Sequence, residues 1–69
     1  MKKVKIETEY ITLGQLLKFT GIISFGSEAK TFLNEEEVLV NSEIEARRGR
    51  KLYPGYIIKI KNNEYVVEK

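Results

Sequence analysis

Polar and apolar residues alternate over Lys3-Val4-Lys5-Ile6-Glu7, the two-residue period of a strand with one buried face. From Thr12 the period changes. Leu13, Leu16 and Leu17 fall at i, i+3 and i+4 and predict an amphipathic helix of about eight residues, roughly 12 Å long. Thr12 is a good N-cap, and Gln15 three residues on completes a capping box. Ile11 and Leu16 stand at the two positions of a hydrophobic staple. Gly21 stands where a C′ glycine ends a helix. A helix this short does not persist alone, so it must dock. The same spacing returns at Ala29, Phe32 and Leu33, with Ser27 predicted as the N-cap, Glu28 at the positive end of the helix and Asn34 as terminator. Beyond it, Val38-Leu39-Val40 and Glu43-Ile44-Glu45 read as strands joined at Asn41-Ser42. Tyr53-Pro54-Gly55-Tyr56 suits a type II turn, and Tyr56 to Lys61 is a strand that Asn62-Asn63 turns into Tyr65-Val66-Val67. The pattern predicts an α+β fold in the order β-α-α-β-β-β-β: two short packed helices against a small, mostly antiparallel sheet.

The size of the chain narrows what such a fold can do. Its 69 residues make one domain, 1–69, without repeats or linkers. A chain of this length buries only about 60% of the surface its unfolded form exposes, so a deep pocket would consume much of the core. There is no Cys, no His and no Asp; all 10 acidic residues are Glu. Thiolate and Ser-His-Asp catalysis are therefore excluded, as are zinc-thiolate sites and EF-hand loops. No metal or other cofactor is expected. The first residues lack the apolar stretch of a secretory signal, and no apolar run approaches the roughly 20 residues of a membrane span, so a cytoplasmic protein is expected.

Charge adds a direction. The net charge is only +2. Yet residues 28–45 carry six glutamates and one lysine, whereas 46–61 carry three arginines, three lysines and no acid. A local basic field attracts phosphate even on a nearly neutral molecule. Arg47, Arg48, Arg50 and Lys51 are the leading candidates, because an arginine fork fits phosphate oxygens and stacks on bases. On charge alone the solvated loop is the favoured reading of this run, since short basic runs are common. Lys18 and Lys30 lie on the polar faces of the helices, either as ordinary surface lysines or as an extension of a phosphate-tracking surface. Ser27 either caps its helix or lends N–H groups to a phosphate. Among the tyrosines, Tyr53 beside the basic run is the one taken as a base-stacking residue; Tyr10, Tyr56 and Tyr65 read as core-edge packing. Glu35-Glu36-Glu37 reads as a solvated rim, since successive carboxylates do not converge on one cation. Gly21 to Ser27 lacks the lysine of a phosphate loop.

Taken together, Thr12-Leu13-Gly14-Gln15-Leu16-Leu17-Lys18, Gly21, Ser27-Glu28-Ala29-Lys30, Val38-Leu39-Val40-Asn41-Ser42 and Tyr53-Pro54-Gly55-Tyr56-Ile57-Ile58 resemble the small alpha-L RNA-binding domain named for the small-subunit ribosomal protein S-four. They resemble in particular its short stand-alone bacterial YaaA/YbcJ type. The resemblance implies that the two helices and the following hairpin hold structured RNA, which brings Asn41 into the candidate set and alone tips the basic run toward RNA contact. It also implies departures. Thr12-Leu13-Gly14 stands where the family often has Arg-Leu-Asp, and Phe25-Gly26 where it has Ser-Arg or Thr-Arg. Asn41-Ser42 replaces the usual Asn-Gly. Lys30 matches the family's basic position on the second helix. The expected function is a non-catalytic module for structured RNA, most naturally ribosomal RNA in ribosome assembly or translation, with possible contact to a ribosomal protein. The alternative is a protein-interaction module that docks through the acidic segment or a sheet edge.

Overall fold

A computed structural model describes all 69 residues. The chain runs β1 (Lys2–Lys5), β2 (Ile11–Thr12), α1 (Leu13–Phe19), a 3₁₀ turn (Gly26–Glu28), α2 (Ala29–Glu35), β3 (Val38–Val40), β4 (Glu43–Ile44), β5 (Lys51–Leu52), β6 (Ile57–Ile60) and β7 (Asn63–Glu68). Five strands form one sheet in the order β1-β7-β6-β3-β4. Within it β1 runs parallel to β7 and every other pair is antiparallel. β2 and β5 form a separate two-stranded ladder, Ile11 opposite Leu52 and Thr12 opposite Lys51.

The alternation in the sequence puts Val4, Val38, Val40, Ile58, Ile60, Tyr65 and Val67 on the covered side of the main sheet, all of them buried. Leu13, Leu16 and Leu17 of α1, with Ala29 and Leu33 of α2, complete the same core. Each fully buried Leu contributes roughly 1.5–3 kcal/mol relative to exposure, which holds two seven-residue helices that could not persist alone.

The ends of α1 follow the sequence closely. The Gln15 N–H donates to Thr12 Oγ1 at 3.2 Å, and the Thr12 N–H donates to Gln15 Oε1 at 2.9 Å, closing the capping box. At the other end Gly21 has φ +80°, its N–H donates to the Lys18 carbonyl, and the Ile22 N–H donates to the Leu17 carbonyl. That pair of bonds is a Schellman motif. Tyr53-Pro54-Gly55-Tyr56 also turns as expected, with Gly55 at φ +95° and the Tyr56 N–H donating to the Tyr53 carbonyl at 3.0 Å.

Two expectations require correction, and one strand pairing was not foreseen. Ser27 does not cap α2: it lies inside the 3₁₀ turn, and the Glu28 carboxylate instead accepts the Ser24 and Phe25 N–H groups at 2.9 and 2.7 Å. The helical run already begins at Gly26, so Ser27 lies inside it rather than at the extended position from which a cap accepts, and α2 has no side-chain cap. The last hairpin turns at Lys61-Asn62, not Asn62-Asn63; Asn63 is already paired with Ile60 in β7. The β2–β5 ladder escaped the sequence reading because two-residue strands show no period. It fastens the segment before α1 to the end of the basic run.

Candidate nucleic-acid interface

The basic segment is held against the start of α1. The Leu13 N–H donates to the Arg50 carbonyl at 2.9 Å, and the Gly14 N–H to the Arg48 carbonyl at 2.8 Å. These are amide groups that a helix start leaves without intrahelical partners, so the loop satisfies them. The approach is close because residue 14 is glycine. A Cβ there would lie 3.3 Å from the Arg48 carbonyl oxygen, 3.4 Å from Arg48 Cβ and 3.6 Å from Ala29 Cβ.

The arginines do not form one uniform patch. Glu45, only 7% exposed, lies under them. Arg47 donates to it from Nε at 2.9 Å and Nη2 at 3.0 Å, Arg50 donates from Nη1 at 2.8 Å, and the Arg47 backbone N–H adds a fourth bond at 3.1 Å. The hydrogen bonding from Arg47 holds the Glu45 carboxyl down to about 2 from an ordinary 4.5, with Arg50 helping and burial opposing. Arg47 and Arg50 are in turn pushed above the usual guanidinium value by their bonds to Glu45. Arg48 has no ion-pair partner and is exposed.

Between the start of α1, the 3₁₀ turn and this loop lies an open groove of about 380 Å³. Its lining is Thr12, Gly14, Gln15, Lys18, Gly26, Ala29, Arg48 and Gly49. Lys18 and Arg48 are its only charged residues, and no carboxylate lines it. The small residues on its floor let a phosphodiester backbone come near the protein backbone. The three positions at which the resembled family often carries Arg or Asp are here Thr12, Gly14 and Gly26, all in this lining.

The other candidates are spread out. Lys51 is exposed, with Nζ 5.1 Å from the Tyr10 ring centre. Tyr53 sits between Tyr10 and Tyr56, ring centres 5.7 and 5.8 Å away, and Arg50 lies over the Tyr56 ring. These form an aromatic strip beside the loop, with Tyr53 its exposed member. Lys30 is exposed on α2 and lies outside the groove lining, as does Ser27. Asn41 is apart from them. Its Oδ1 accepts the Ile57 N–H at 2.9 Å, and it borders a separate cleft with Met1, Ser42, Lys59 and Glu64. Sequence reasoning missed Glu45, although a Glu two residues before one Arg and five before another was visible. It also missed Gly14 as the point of close approach.

The fold, with two short helices and a basic loop across their junction, is that of an S4 domain. The S4 domain family matches residues 4–68, and the chain belongs to that family. It is 56% identical over 57 residues to the probable ribosome maturation protein RlbA of Bacillus subtilis (strain 168), covering 83% of this chain and 80% of that protein.

Proposed function

We propose that this protein is a non-catalytic RNA-binding module acting on ribosomal RNA during ribosome maturation in the cytoplasm. The observation that carries the reading is the acid-free groove in which Lys18 and Arg48 are the only charged residues. Lys18 and Arg48 hold phosphates. Lys51, Lys30 and the outward edge of the Arg47 guanidinium extend the field around the groove. Such contacts position structured RNA by its shape and backbone. Arg50 serves mainly to shape the loop through Glu45 and Tyr53 offers a partly exposed ring, while Ser27 and Asn41 contribute less, because Ser27 lies outside the groove lining and Asn41 Oδ1 is engaged by the Ile57 N–H. Membership of the S4 family and similarity to the probable ribosome maturation protein of Bacillus subtilis support the choice of RNA.

The rival reading, docking on a protein through the acidic segment, has weaker support. Glu36 and Glu37 share a surface with Lys59 and Lys61, and Lys61 Nζ lies 3.9 Å from Glu36, so much of that negative charge is offset locally.

The test is binding to purified ribosomal RNA across a salt series, comparing wild type with a Lys18→Glu/Arg48→Glu variant. Three or four phosphate contacts give a log–log salt slope of about −2 to −3. Loss of binding in a variant with unchanged circular dichroism is expected. Equal binding by both proteins would remove the groove from consideration.

A further inference from the structure

A second groove lies on the other flank of α1, between that helix and the chain from β1 to β2. It has a volume of about 520 Å³. Its apolar surface comes from Ile6, Ile11 and Phe19, and Lys5 and Lys18 stand at its rim. Gln15 and Lys18 line this groove and the phosphate groove alike, so the two are neighbours across one ridge of α1.

We propose that this second groove receives a nucleobase unstacked from the RNA whose backbone lies in the first groove. The inference rests on the RNA reading above and extends it with a site for a base. Phe19 is 65% exposed and has no aromatic or cationic partner, whereas every tyrosine ring is covered by one or the other. An exposed ring beside an apolar floor has the form of a stacking platform, which suits the face of any base. Gln15 supplies a directional contact. Its Oε1 is occupied by the Thr12 N–H, so its amide NH₂, which makes no bond within the protein, is free to donate to a base edge. Lys5 and Lys18 form no ion pair and stand where the flanking phosphates of an extruded nucleotide would pass. Glu7 is the one carboxylate in the lining. It repels phosphate but accepts from an exocyclic amino group, which favours a base over a backbone segment inside the groove.

The probe is a pair of RNA hairpins at low salt, where phosphate contacts alone give measurable binding. One carries a single bulged adenosine and the other an abasic bulge at the same place. Wild type is expected to bind the base-bearing hairpin about tenfold more tightly, the scale of one base–aromatic stack. Phe19→Ala should bind both hairpins as wild type binds the abasic one, and Phe19→Tyr should restore the preference. Ile44→Ala, which removes another exposed apolar side chain on β4, should leave it intact. Salt-sensitive binding that Lys18→Glu/Arg48→Glu abolishes, but with no preference for the base, would overturn the base site while preserving the RNA reading, and would turn the groove over to a protein segment. No binding of either hairpin overturns both.

Discussion

Replacing Glu45 by Gln keeps the shape of the side chain and removes the charge that organises the basic loop. Glu45 is buried, accepts four hydrogen bonds and is held at a pKa of about 2 against 4.5. A displacement of that size corresponds to at most about 3.5 kcal/mol of stability at neutral pH, taking roughly 1.4 kcal/mol per unit. Arg47 is 75% exposed, so water replaces much of what it would lose, and about 1–2 kcal/mol is the expected cost. The sign with pH follows from the lowered value. Stabilisation from Glu45 is complete above about pH 4.5, falls as pH drops toward 2, and is gone below it. Urea denaturation of wild type and Glu45→Gln at several pH values from 7 to 2 isolates this contribution, because the other carboxylates titrate in both proteins. The gap should be about 1–2 kcal/mol at pH 7, narrow below pH 4.5 and close near pH 2. A gap that is absent at pH 7, or constant down to pH 2, would refute the argument that ionised Glu45 anchors the loop.

Three further changes test the scaffold. Asn41 and Ser42 have φ of +50° and +73°, the signature of a type I′ turn, so Ser42→Gly should raise stability by about 0.5–1 kcal/mol in thermal or urea melts. Gly14→Leu should cost about 1–3 kcal/mol, because its side chain meets the Arg48 backbone and Ala29; it should also weaken RNA binding beyond what the stability loss explains, since the same atoms wall the groove. Thr12→Ala removes the cap of α1 and should lower stability by about 1 kcal/mol, with little change in the salt slope of RNA binding.

What was legible in the chain was what local chemistry dictates. The capping box, the Schellman end at Gly21, the Pro-Gly turn and the alternation of the sheet strands depend on residues within a few positions of one another. The sequence determined two short helices, their buried stripes and a chain without the residues for thiol or histidine chemistry. The same residues carried the resemblance to the S4 domain. Tertiary structure decided the rest. It set β1 parallel to β7 from opposite ends of the chain, and made a ladder of strands too short to have a period. A run of charges looked uniform because sequence counts charge without direction. In the fold Glu45 ties two arginines to one buried carboxylate, and Arg48 stays free beside Lys18, thirty positions earlier. Long-range pairing and side-chain direction arise only when the chain closes on itself, so the helices could be read from the residues and the groove between them could not.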